Sequence, residues 1–296
     1  MAVKTVQVVV NGQTYNLTYN SSTGKYEATI TAPNKSSYPL DGHYYPVTVS
    51  ASDTAGNSVT KTVNDATLGS SLQLKVKEKV APVIAITSPT NGSLIANNKP
   101  TFKWTITDDD SGVDPASISI TIDNSKITSG ITKTAITNGY SCEYVPATAL
   151  SDNSHTVKFD ASDYDGNAAE QKSINITIDT VAPELDITSP AEGSITNVAV
   201  CVVSGITNDA TSSPASLTVN GKAVTIGADG SFSTEITLSE GVNTITIVAT
   251  DDAGKMTTVT RTVTLDTKAP SISAVVIAPN PVDAGATYIV TVTVTD

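Results

Sequence analysis

Two cysteines, two histidines, one tryptophan and three phenylalanines are all that the 296 residues hold of those types, and each scarcity closes off a class of function. Cys142 and Cys201 have no C-x-x-C neighbour and no cysteine or histidine cluster around them, which excludes a thiolate metal site and a redox pair. They fall in different parts of a repeating sequence, so an internal disulfide would have to bridge two domains; both are expected to be free, buried thiols. His43 and His155 are the only imidazoles available for acid–base work, and no G-x-S-x-G, H-E-x-x-H or phosphate-loop motif accompanies them. Basic residues are equally short: 17 Lys and Arg against 29 Asp and Glu leave a net charge of −12. Phosphate backbones require clustered cations, so no nucleic-acid partner is expected, and the acidic surface serves solubility. No run approaches the ~18 apolar residues of a membrane helix, so no membrane insertion is expected. The opening MAVKTVQVVVNGQTY has strand alternation and none of the layout of a signal peptide, which predicts a protein made in the cytoplasm and kept there until release.

What the chain has in quantity is Thr, Val, Ile and Ser, the composition of strands. Phe102, Trp104 and Ile106 alternate with Lys103 and Thr105, and Ile245, Ile247 and Ala249 alternate with Thr244, Thr246 and Val248, as half-buried strands require. The text also repeats. KVAPVIAITSPTNGS at 79–93, TVAPELDITSPAEGS at 180–194 and TKAPSISAVVIAPNP at 267–281 share a spelling and mark boundaries about 90 to 100 residues apart, the size of an immunoglobulin sandwich. A second signature closes each unit: Asp53-Thr-Ala-Gly56-Asn57, Asp163-Tyr-Asp-Gly166-Asn167 and Asp251-Asp-Ala-Gly254-Lys255. Gly stands there where a hairpin needs positive φ, and Asp can bond the turn backbone, so the first duty of this motif is register. The reading is all-β: tandem immunoglobulin-like β-sandwiches in a serial, elongated array, with domains at 1–79, 80–180 and 181–267 and a partial fourth repeat at 268–296. In the first domain Leu72, Leu74 and Val76 alternate with Gln73, Lys75 and Lys77 as one extra strand.

The unit V-x-V-x-A-x-D-x-A-G-N, the threonine-rich strand after it and the Asp-Thr-x-Ala-Pro linker resemble bacterial Ig-like tandem repeats over residues 1–267. The opening module, from LTYNSSTGKYEATITAP through DGHYYPV to DATLGSSLQLKVKEK, is similar to Ig-like proteins of tail and baseplate clusters in temperate phages of Gram-positive bacteria. That resemblance implies a non-enzymatic part of a phage tail or tail-like particle assembled in the bacterial cytoplasm. Its expected partners are other structural proteins of a multi-subunit assembly and host cell-surface glycans. The alternative is the Ig-like stalk of a secreted adhesin or cell-wall protein at the bacterial surface.

Candidate sites are few. The histidines precede their turn aspartates at nearly the same distance, and Asn243 takes that place in the third domain, so the position accepts a residue that does not titrate. No catalytic residue is assigned. Asp163, Asp165 and Asn167 are spaced like the first ligands of a calcium loop, with Asp179 at the next linker. Gly166 comes too early, however, and no Glu closes the loop, so calcium at Asp163, Asp165 and Asp179 is the alternative to solvated turns, and no structural metal or other cofactor is expected. Asp108, Asp109 and Asp110 form a second acidic cluster. Tyr38, Tyr44 and Tyr45 are the best aromatic group for a sugar, with at least one of them in the core. At the C-terminal end Tyr288, Ile289, Val290, Val292 and Val294 write a strand with no closing hairpin, expected to seek the sheet edge of a partner.

Overall fold

Alternation becomes strand in every repeat, and the Ala-Pro signature stands immediately ahead of the first strand each time: Val83–Ser88 follows Pro82, Glu184–Ser189 follows Pro183 and Ser271–Ala278 follows Pro270. A proline there sacrifices no ladder hydrogen bond. The computed structural model describes residues 2–296, which divide into two compact units, 2–178 and 179–296. The fold is all-β and immunoglobulin-like, as the periodicity predicts.

The first unit holds two domains. In the second of these, one sheet runs Thr132–Ile136, Gly139–Tyr144, Phe102–Thr107, Val83–Ser88, and the other runs Ser125–Ile127, Ser119–Ile122, Asn153–Asp160, Lys172–Ile178, Ser93–Ile95. Phe102, Trp104 and Ile106 point between the sheets onto Ile118, Ile120, Phe159 and Ile176, all essentially buried. Each such side chain contributes about 1.5–3 kcal/mol of hydrophobic stabilisation. The Trp104 and Phe159 rings meet tilted at 5.1 Å, and the Trp104 Nε1 has no hydrogen-bond partner, so the indole serves as packing alone. The chain contributes one strand to each sheet as it enters: Val83–Ser88 lies antiparallel to Phe102–Thr107, whereas Ser93–Ile95 lies parallel to the last strand, Lys172–Ile178.

The first domain is thinner. Its sheet, Gln13–Asn16, Val3–Val10, Tyr45–Asp53, Ser58–Lys61, is antiparallel throughout, with a separate hairpin of Thr18–Asn20 and Lys25–Glu27. The buried cluster comprises Val8, Val10, Tyr45 and Val76. The extra strand is shorter than the alternation suggests. Gly69–Leu72 is a 3-10 turn, and Gln73–Leu74 alone pairs with Tyr45–Asp53. Val76 is nevertheless buried, because its N–H finds the Ser37 Oγ at 3.1 Å and needs no ladder.

The second unit repeats the sandwich. Glu184–Ser189, Val200–Asn208 and Ser231–Thr237 face a sheet of Ser194–Thr196, Met256–Leu265, Gly241–Asp251, Pro214–Val219 and Lys222–Val224. Val203, Leu217, Phe232, Ile245, Ile247 and Ala249 fill the space between them, and Ser194–Thr196 again runs parallel to the closing strand. In all three domains the turn glycines take positive φ, with Gly56 at 94°, Gly166 at 93° and Gly254 at 83°. The aspartate three residues earlier accepts a backbone N–H from across each turn: Asn57 to Asp53 at 2.9 Å, Asn167 to Asp163 at 2.8 Å and Lys255 to Asp251 at 2.8 Å.

The C-terminal strand Ile289–Thr295 is not unpaired. The loop 279–288 folds it back antiparallel onto Ser271–Ala278, so among the described residues one edge of each strand is paired in a two-stranded hairpin and the outer edge of each is not. Val290, Val292 and Val294 stand opposite Ile277, Val275 and Ile272, giving one apolar face, and every residue of both strands is exposed.

Candidate functional site: two acidic triads

Each sandwich in the second and third repeats gathers three acids from the same three places. One stands four residues before the linker proline (Glu78, Asp179), one just after the second long strand (Asp108, Asp209), and one at the closing turn (Asp163, Asp251). In both groups a side-chain oxygen from each residue lies within 4.8 Å of the others.

In the first triad the oxygens are met. The Glu78 Oε1 accepts from the Ser111 Oγ at 3.0 Å and its Oε2 from the Val80 N–H at 2.5 Å. The Asp163 Oδ2 accepts from the Asn167 Nδ2 at 2.6 Å, and the Asp108 Oδ1 from the N–H groups of Asp110 and Gly112 at 3.0 and 2.7 Å. Burial, with smaller help from its hydrogen bond to Asp163, lifts the Glu78 carboxyl above its ordinary range. Burial pushes Asp163 up as well, but the Asn167 side chain and N–H and the bond to Glu78 more than offset it, so Asp163 ends below the usual range. The two neighbouring carboxyls are thus pushed in opposite directions, Glu78 upward and Asp163 downward.

Around this triad runs a polar seam between the first and second domains. The Lys77 Nζ donates to the Asp165 carbonyl at 2.9 Å, the Glu78 N–H to the Asp165 Oδ2 at 3.0 Å, the Asn167 Nδ2 to the Glu78 carbonyl at 3.2 Å, and the Ser36 N–H to the Asp110 Oδ1 at 2.9 Å. Tyr38 stacks between His43, at 4.2 Å, and Tyr164, at 4.1 Å.

The second triad has the same skeleton and fewer donors. The Asp179 Oδ2 accepts from the Ser212 Oγ at 2.5 Å and its Oδ1 from the Val181 N–H at 3.3 Å. The Asp209 Oδ1 takes the N–H groups of Thr211 and Ser212 at 2.8 and 2.7 Å. Asp251 is 2% exposed, and Asp179 is 0% exposed.

The metal candidates Asp163, Asp165 and Asp179 are therefore sorted into different environments. Asp163 joins Glu78 and Asp108, Asp179 joins Asp209 and Asp251, and Asp165 is engaged with Lys77 and Glu78. The tyrosines do not assemble a sugar platform. Tyr38 has both ring faces covered, Tyr45 is 6% exposed and donates its hydroxyl to the Lys35 carbonyl at 3.1 Å, and Tyr44 is half-buried over Gly42. A cavity of about 490 Å³ in the first domain is walled by Val10, Gln13, Tyr15, Ile30, Val47 and Leu74, and no histidine, cysteine or carboxylate lines it.

The histidines are committed to structure. The His155 Nδ1 meets the Asp123 carboxylate at 2.5 Å and its Nε2 the Ser151 carbonyl at 2.8 Å. Burial pulls this imidazole down, yet the Ser151 carbonyl and Asp123 together leave it raised. Asn243 does the same work in the third domain, donating to the Ser239 carbonyl at 2.7 Å. His43 does not share that place: it lies ahead of its strand in the 3-10 turn Asp41–His43, its Nδ1 against the Tyr38 carbonyl. Both cysteines are free and buried, and burial lifts the Cys142 thiol to about 11.

Sequence reasoning passed over Glu78 and Asp209 as site residues. The signal for both was the repeat itself, since Glu78 and Asp179 precede their prolines by the same four residues and Asp209 follows its strand as Asp108 does.

Comparison with known proteins agrees with this architecture. Residues 82–158 match the family model of a bacterial Ig domain, and residues 183–267 match that of glucodextranase, domain B. Over 196 residues the chain is 30% identical to bacillopeptidase F of Bacillus subtilis (strain 168); the alignment takes in 66% of this chain, and the chain spans 13% of that protein's length. Among solved structures, a three-Ig fragment of titin is 12% identical, with 89% of this chain and 88% of that chain covered and a TM-score of 0.45. Fibronectin(III)-like modules of Clostridium thermocellum CbhA are 18% identical, with 62% and 94% covered and a TM-score of 0.35. A 1.5-MDa bacterial ice-binding adhesin is 19% identical, with 90% and 87% covered and a TM-score of 0.32. The chain carries tandem bacterial Ig-like domains.

Proposed function

We propose that this chain is a non-enzymatic spacer and recognition segment of a bacterial surface or particle assembly, in which successive Ig-like domains hold a functional end at a set distance. The observation that carries the reading is the seam of the first unit, where Lys77, Glu78, Asp165, Asn167 and the Tyr38–Tyr164 stack join one domain to the next. Hydrogen bonds and stacked rings between consecutive domains suppress the free swivelling that a plain linker would allow. The commitment of both histidines to carbonyl and carboxylate partners, and a first-domain cavity lined by no histidine, cysteine or carboxylate, support the non-enzymatic part. The narrower setting, a phage tail or tail-like particle, draws on the wording of the opening module; a stalk of a surface adhesin or cell-wall protein draws on the tandem Ig-like domains themselves.

Nuclear relaxation of the full chain tests the spacer. The first and second domains should share one rotational correlation time, and Tyr38→Ala with Lys77→Ala should separate them. Independent tumbling in the unaltered chain, or turnover of peptide or glycan substrates, would overturn the proposal.

A further inference from the structure

The second triad contains an oxygen that nothing answers. The Asp251 Oδ1 caps its turn through the Lys255 N–H, but the Oδ2 of this 2%-exposed side chain is buried without a hydrogen-bond partner, and so is the Asp209 Oδ2. Buried carboxylate oxygens are rarely left without a donor, because the loss of hydration is not recovered. The repeat shows what has changed. The first two domains have Asn57 and Asn167 at the end of the turn, and their side-chain amides donate to the second oxygen of Asp53 and Asp163, at 2.8 and 2.6 Å. The third domain has Lys255 there, whose backbone alone reaches Asp251. At the linker position the shorter Asp179 stands where the earlier repeat has Glu78. Among the described residues no lysine or arginine forms an ion pair with any of the three.

We propose that Asp179, Asp209 and Asp251 bind a divalent cation, and that the cation is calcium. Three carboxylates whose oxygens converge within 4.8 Å, two of them ending in buried, partnerless oxygens, form a hard, anionic cage. Calcium accepts irregular cages of carboxylate and carbonyl oxygen, while magnesium demands a near-ideal octahedron and keeps its waters. Ser212, Thr211 and Val181 hold Asp179 and Asp209 in place, the Val181 contact to the Asp179 Oδ1 being the long one at 3.3 Å, while the Oδ2 atoms of Asp209 and Asp251 are left to the ion.

The test uses the full chain after treatment with a chelator. Calorimetric titration with calcium chloride should give one site per chain, with Kd in roughly the micromolar to millimolar range, and magnesium chloride should bind at least about tenfold more weakly. Asp251→Asn and Asp209→Asn should each weaken calcium binding by at least about tenfold, and Asp163→Asn should leave the stoichiometry unchanged. Asp209 is only partly buried, so that variant carries the test if Asp251→Asn does not fold. Absence of heat and of any rise in the melting temperature at millimolar calcium would overturn the site. Unchanged affinity in Asp209→Asn would refute this ligand set, and equal affinity for magnesium would refute the choice of ion.

Discussion

The two triads occupy equivalent places in consecutive sandwiches and solve the same electrostatic problem differently. Three carboxyl groups crowded at a turn repel one another. Around Glu78, Asp108 and Asp163 the repulsion is relieved from within: Asn167, Ser111 and backbone N–H groups supply donors to all three residues. Around Asp179, Asp209 and Asp251 the asparagine has become lysine, the glutamate has become aspartate, and two oxygens stay bare. Two changes, one at the end of a turn and one ahead of a linker, therefore separate an acidic cluster that closes itself from one that leaves two oxygens bare.

The sharpest way to break this comparison is to alter the turn aspartates in parallel. Asp163→Ala removes the acceptor of both the Asn167 N–H and the Asn167 side chain, and should destabilise the second domain by about 2–4 kcal/mol. Trp104, buried in that domain, reports its urea unfolding by fluorescence. In chelator Asp251→Asn should act in the opposite direction, stabilising the third domain by about 1 kcal/mol in calorimetry, because a neutral amide replaces a buried carboxylate whose Oδ2 has no donor. Destabilisation by both would erase the distinction between the triads. A smaller effect comes from the serines that donate to the linker acids. Ser111→Ala should cost about 1 kcal/mol through Glu78, and Ser212→Ala should cost a similar amount through Asp179.

The smallest effect separates the domains by pH. The His155 imidazole is raised in the folded state, so its contribution is complete below the unfolded value near 6.5 and is lost as pH rises through the folded one. His155→Asn, which copies Asn243, should remove that slope. Melting of the second domain between pH 6 and 9 would then be flatter in the variant than in the unaltered chain, and parallel curves would refute the role assigned to the Asp123 contact.

Strands, linkers and turns were legible because they are local. A period of two in Phe102, Trp104 and Ile106 and a glycine three residues after Asp53, Asp163 and Asp251 state their own geometry. The triads were not, because each is assembled from three segments brought together only when two sheets and a linker are in place. Tyr38 could be recognised as aromatic, but Tyr164, which covers its face, lies in another domain. The alternation of Leu72, Leu74 and Val76 misled for a related reason: side-chain period shows which residues are buried and not whether the backbone has a neighbour to pair with. The same holds for Ile289–Thr295, whose partner was its own preceding strand.

The parallel pairing of Ser93–Ile95 with Lys172–Ile178 has a mechanical consequence. Tension that draws the start of the second domain away from its end pulls these two strands along their length in opposite senses, so the bonds that join Ser93, Leu94 and Ile95 to Ile176, Thr177 and Ile178 must shear as a group and cannot peel one by one. The third domain carries the same clamp between Ser194–Thr196 and Met256–Leu265, while the first has only antiparallel ladders and a small core. Single-molecule stretching of the full chain should therefore unfold the first domain at lower force than the second and third.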